Sequence, residues 1–218
     1  MKRWRSEIEL LSVVLMWGVN FPLMKWVLVV FDPIVLNVLR VSTALVVLAW
    51  VYWLRSGRNM RVVLAPFSTH PWEIVRIGIV GWFVYQVGFV LGLSLTSAGS
   101  AALIMASAPL WTGLLAKFLG LEKLGALGWI GLVISMVGTA GVVVFGREEI
   151  TLSLAAMLGN IIMLAAAMMW GFYTAMARPL ISVMTPTALS VCAILPALPL
   201  LTLAAVPFMS QMDWSQVT

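Results

Sequence analysis

Met16-Trp17-Gly18-Val19-Asn20-Phe21-Pro22 lies inside the first long apolar run, and its opening returns 153 residues later as Met169-Trp170-Gly171-Phe172-Tyr173. At the same offset Lys25 falls on Arg178, Pro33 on Pro186, Leu36 on Leu189, Ala44 on Ala197 and Leu45 on Leu198. The chain therefore reads as two copies of one unit. The first covers residues 1–150 and the second begins over 151–218.

The unit is a membrane unit. Hydrophobic residues make up 62% of the 218, mean hydropathy is +1.07 and only 10% are charged, which is too apolar for a soluble core with a solvated surface. A helix needs about 20 apolar residues to cross a hydrocarbon core roughly 30 Å thick. Seven runs of that kind are present, near residues 8–30, 34–54, 72–95, 100–119, 127–145, 154–176 and 189–208. None alternates as a β-barrel strand would. The expected fold class is all-α, a polytopic helix bundle.

The net charge of +5 does not imply nucleic acid, because the basic residues sit in short connections between spans. With the N-terminus inside, Lys2, Arg3, Arg5, Arg55, Arg58, Arg61, Arg76, Lys117, Lys123 and Arg178 fall at the cytoplasmic side. Lys25 and Arg147 fall outside, and Arg40 lies within span two. That asymmetry predicts a cytoplasmic, or inner, membrane with a cytoplasmic N-terminus. The 55–71 segment, rich in Arg, Gly and Pro, reads as an exposed loop.

Five spans separate the two copies, and an odd number of crossings reverses the direction in which the second enters the membrane. The repeats are thus expected to be inverted, an arrangement that lets two similar halves exchange conformations around a central site. Spans three to five of the second copy would map beyond Thr218, so about seven spans of an expected ten are predicted.

Trp17-Gly18-x-Asn20-Phe21 with Lys25, then Arg40, then Leu95-Thr96-Ser97-Ala98-Gly99-Ser100-Ala101-Ala102 with Pro109, then Leu119-Gly120-Leu121-Glu122 ahead of Trp129-x-Gly131, together resemble the EamA-type branch of the drug/metabolite transporter superfamily. The resemblance covers nearly the whole chain. It implies a ten-helix fold of two inverted five-helix repeats around a central cavity, exporting or importing small metabolites such as amino acids. The family's usual Leu-Gly-Glu stands here as Gly120-Leu121-Glu122.

Read from the residues themselves, Lys25 and Arg40 sit at similar depth, about 10 Å inside the outer turn at a rise of 1.5 Å per residue. A cation within a span costs about 2.5–3.5 kcal/mol on insertion scales, so it faces a wet cavity, finds a partner or snorkels to the headgroups. The functional reading has both cations attracting a substrate carboxylate or phosphate. Asn20 and Pro22 sit mid-helix, and Pro22 frees the Gly18 carbonyl, which predicts a broken or bent helix at a site edge or a kink for packing. Trp17, Tyr85, Gln86, Trp170 and Tyr173 fall near mid-membrane depth, where an interfacial belt does not explain them; they read as a pocket wall or as core packing. Pro109 is a second candidate hinge. The glycines of span five, Gly125, Gly128, Gly131, Gly138 and Gly141, read as helix-packing scaffold.

Glu7, Glu9, Asp32, Glu73, Glu122, Glu148, Glu149 and Asp213 all fall at span ends or in loops, leaving no mid-membrane carboxylate for a proton relay. One cysteine, Cys192, and one histidine, His70, give no disulfide, metal-site or catalytic constellation, so neither an enzyme nor a cofactor is expected. The expected partners are a small-molecule metabolite and the lipid bilayer. The rival class is a non-transporting membrane assembly partner or inactive fragment.

Overall fold

The computed structural model describes residues 2–121, 125–145 and 153–212, and within them every regular element is helical. Helix α1 spans Lys2–Val27 and α2 spans Pro33–Arg55; α3 is Met60–Thr69 and α4 is Pro71–Ile77. A π-helical segment, Gly78–Val84, joins α4 to α5, Tyr85–Leu95. Then come α6, Ala98–Met105, α7, Ala108–Phe118, α8, Ala126–Phe145, α9, Leu154–Ile181, and α10, Pro186–Met209. Among the described residues six stretches are long and apolar enough to cross a membrane: Glu7–Val27, Pro33–Arg55, Pro71–Leu95, Ala98–Phe118, Leu154–Ile181 and Pro186–Met209. Helix α8 occupies the place of the remaining expected span. The protein is a multi-pass membrane helix bundle. Glu122, Lys123, Arg147, Glu148, Glu149 and Asp213 lie outside the described residues, as do the side chains of Lys2, Arg3 and Arg5.

The helix starts follow from local chemistry. Asp32 accepts from the backbone N–H groups of Ile34 and Val35 at 2.9 and 3.2 Å, with Pro33 at the first helical position, where its missing donor costs nothing. One repeat offset later Thr185 caps α10 by accepting from Ala188 at 3.3 Å, again with proline following, at Pro186. Ser97 and Ser153 cap α6 and α9 in the same way.

Two sequence expectations need correction. The 55–71 segment is not a plain loop, because Asn59 caps α3 by accepting from the Arg61 N–H at 3.0 Å and the helix runs through Pro66. Its arginines and proline hide a short amphipathic helix. Span one does not break at Pro22 either: α1 remains helical through it, and Pro22 is exposed. The break falls instead in span four, where a turn at residues 106–107 separates α6 from α7. Pro109 explains it, since it has no N–H to give Met105 and its ring crowds that carbonyl.

Packing centres on α9 and α10. Helix α9 lies against α5, α6 and α7, while α10 lies against α2 and the π-helical segment. The approaches are closest at glycines: a Cβ on Gly159 would sit 2.9 Å from the Leu95 carbonyl carbon, and one on Gly92 would sit 3.0 Å from the Met163 nitrogen. A Cβ on Gly78 would lie 2.5 Å from the Ala193 oxygen. The expected glycine scaffold in span five is not found at Gly125 or Gly131, beside which a Cβ would meet nothing within 4 Å. Cys192 is fully buried within α10.

Candidate substrate cavity

Tyr85 and Gln86 open α5, directly after the π-helical segment, and Phe89 follows one turn on. The π segment widens the turn at mid-span, a distortion that recurs at functional sites, and it carries Trp82. From the facing half of the bundle α9 brings Trp170, and α1 brings Trp17. The aromatic rings form a connected wall: Trp17 meets Trp170 edge-on at 5.8 Å between centroids, Trp170 meets Tyr85 at 4.9 Å and Tyr173 at 5.3 Å, and Tyr85 meets Phe89 at 5.8 Å. Trp17 and Trp170 are the two residues related by the 153-residue offset.

This wall bounds a cavity of about 1240 Å³. Of the residues singled out in the sequence, Trp17, Asn20, Arg40, Tyr85, Gln86, Trp170 and Pro109 line it. Both interruptions of regular helix, the π segment through Trp82 and the α6–α7 turn through Ala106, also contribute to the lining. Irregular backbone at membrane depth is tolerated where it is buried in protein or faces a cavity.

Arg40, on α2, is a cation of the cavity lining. Its guanidinium donates to the Gln86 Oε1 at 2.6 Å and the Asn37 Oδ1 at 3.2 Å, reaches the Met24 sulfur at 3.3 Å, and stands 5.5 Å over the Phe89 ring. Two amide oxygens, a thioether and an aromatic face orient the group without cancelling its charge. Among the described residues no carboxylate pairs with it, and none is found in the cavity lining. Asn37 Nδ2 and Trp82 Nε1 are buried without a hydrogen-bond partner among the described residues.

Lys25, which the sequence places beside Arg40, goes elsewhere. Its ammonium donates to the backbone carbonyls of Leu93, Ser94 and Thr96 at 2.9, 2.9 and 2.7 Å. Those are orphan acceptors at the end of α5, where a cation also complements the helix dipole. All three donors are engaged, and Lys25 does not line the cavity. Thr96 extends the contact by donating to the Asn160 Oδ1 at 2.6 Å, which ties α9 to the same helix end. Tyr173 packs its ring against Gly81 and lies behind the lining, while Pro22 is on the exposed face of α1.

The sequence reading missed Trp82, Phe21, Phe89 and Arg178, all of which line the cavity. Phe89 was visible as the residue four after Tyr85 on one helical face. Trp82 was not, because the π turn shifts the register between it and Tyr85. Arg178 carried a signal as the repeat counterpart of Lys25.

The geometry can be set beside known proteins. The model of the EamA-like transporter family matches residues 5–144. The uncharacterized transporter YyaM of Bacillus subtilis is 25% identical over 186 residues, covering 85% of this chain and 60% of its own length. The uncharacterized transporter YdfC of the same organism is 31% identical over 93 residues, 43% of this chain and 29% of its own. An uncharacterized transporter of Archaeoglobus fulgidus is 26% identical over 190 residues, 87% of this chain and 62% of its own. The chain thus spans less than two thirds of the length of these relatives. No solved structure matches it.

Proposed function

This chain belongs to the EamA-like transporter family, and on that premise we propose that it is a secondary transporter of small anionic or zwitterionic organic metabolites, amino acids among them. Substrate moves by alternating access between two inverted repeats, residues 1–150 and the unit that begins at 151–218, in a cytoplasmic membrane with the N-terminus on the cytoplasmic side. The observation that carries the reading is Arg40: a guanidinium inside an aromatic-walled cavity, fixed by Gln86 and Asn37, with no carboxylate among the described residues to neutralise it.

Such a group attracts a substrate carboxylate and offers it a charge-assisted hydrogen bond. Gln86 and Asn37 hold the fork in place, so little ordering is left to binding. Trp17, Tyr85 and Trp170 supply a flat apolar surface for the rest of the molecule, and the Asn20 amide, also in the lining, supplies a polar contact. Arg178 adds a second positive charge to the lining. Among the described residues no carboxylate lines the wall to carry a proton, which favours exchange or a drive from the charge on the substrate.

The test is counterflow of radiolabelled amino and organic acids into liposomes loaded with the same compounds. Exchange of at least one carboxylate-bearing compound is expected, and Arg40→Gln should weaken it by roughly 10–100-fold, the worth of one charge-assisted contact. Wild-type rates for every anionic substrate in that variant overturn the role of Arg40. No exchange with any compound favours the non-transporting membrane partner.

A further inference from the structure

A second cavity, separate from the first, lies at the end of the bundle where α2 finishes. After Arg55 the chain reverses through Gly57 and Arg58, both left-handed with φ of 68° and 62°, and α3 folds back beside α2. The Tyr52 hydroxyl then donates to the Val62 carbonyl at 3.2 Å and holds α3 there. Between α3, the α3–α4 corner at His70 and the α9–α10 turn, a cavity of about 470 Å³ opens. Among the described residues its ionisable groups besides Tyr52 are Arg55 and His70, and no carboxylate lines it. Ser56, Thr69, Thr185 and Thr187 add hydroxyls, and Val62, Pro66, Val183 and Met184 complete an apolar side.

We infer that this cavity binds the headgroup of an anionic phospholipid. Three observations select that occupant. Among the described residues the lining is basic, carries several hydroxyl groups and includes no carboxylate, which suits a phosphodiester. The cavity sits at the end of a spanning helix whose last turns carry Trp50, Tyr52 and Trp53, the residues that mark the depth of lipid headgroups. Its apolar side lies beside the polar one, so glycerol and the first acyl carbons have a surface to follow. Arg58 and Arg61, on the same turn and on α3, add long-range attraction for an anionic leaflet. A bound lipid would bridge α2, α3 and the α9–α10 turn, which belong to different halves of the chain.

The measurement is the affinity of the purified full chain, in neutral detergent, for short-chain phosphatidylglycerol against phosphatidylcholine, followed by the thermal unfolding midpoint. A preference of roughly tenfold for phosphatidylglycerol is expected. It should vanish in Arg55→Gln/His70→Gln. It should also vanish in Ala65→Trp, which fills the cavity and leaves every charge in place. A preference that survives Ala65→Trp marks diffuse surface attraction and overturns the site. Equal affinity for the two lipids also overturns it. Full competition by inorganic phosphate at the same concentration overturns the lipid assignment and leaves a free-phosphate site.

Discussion

Lys25 and Arg40 lie on consecutive helices, yet Lys25 reaches the end of α5 and Arg40 its start, and the chain uses them differently. Lys25 is held by three carbonyls contributed 68 to 71 residues away, while Arg40 keeps its charge for the cavity. Lys25→Met removes the donors of three helix-end acceptors, which should lower the stability of the solubilised protein by about 1–3 kcal/mol. The same variant should leave the substrate-charge preference of counterflow unchanged, and thermal unfolding beside a substrate panel checks both halves. Arg40→Lys should retain part of the preference for anions, because the charge stays while the planar group that Gln86 and Asn37 hold in place is lost. The sequence made both cations visible through the expense of burying them. It did not show their partners, because a backbone carbonyl at a helix end has no signature in the residue that carries it.

At the scale of elements, the close approaches lie where α5 meets α9. A side chain at Gly159 meets the backbone of residues 95 and 96, which cannot yield as a flexible side chain can. Gly159→Ala should therefore destabilise by about 1–3 kcal/mol. Gly131→Ala, in open space on α8, should be neutral or stabilising by up to about 1 kcal/mol, as for any helical glycine freed of its entropy. Midpoints of unfolding for the two variants test the contrast. Pro109→Ala should restore the missing donor to Met105 and draw α6 and α7 into one continuous helix. Counterflow should slow while expression and folding persist, since the interruption faces the cavity. The span-four break was written in the sequence as Pro109. The π turn was not: nothing at Gly78 or Gly81 marks it in the sequence, and the close approach of Ala193 and Tyr173 to these glycines shows only in the structure.

For the whole molecule, hydropathy made the fold class legible, because lipid demands helices whose backbone groups are satisfied within each span. The start of α2 was legible from Asp32-Pro33, whereas α10 begins at Pro186, ahead of the apolar run at 189, and α9 runs on to Ile181, past the run ending at 176. The short helix α3 was not legible, since its pattern of arginine and proline resembles a loop and the surface it meets on α10 comes from distant sequence. The asymmetry of basic residues makes a testable statement about topology. With the N-terminus cytoplasmic, a thiol at Ser68→Cys should react with an impermeant reagent only from the cytoplasmic side, and one at Val29→Cys only from the opposite side.

That last experiment has an unusually simple background. The chain's single native thiol, Cys192, is fully enclosed between helices. It is out of reach of water-soluble maleimides and of spin labels, so this chain is chemically silent toward them before any cysteine is added. Each engineered cysteine would report its own position alone. Pairs placed on α1 and α9 would then measure, in distances between labels, whether Trp17 and Trp170 stay together while the cavity changes the side to which it opens.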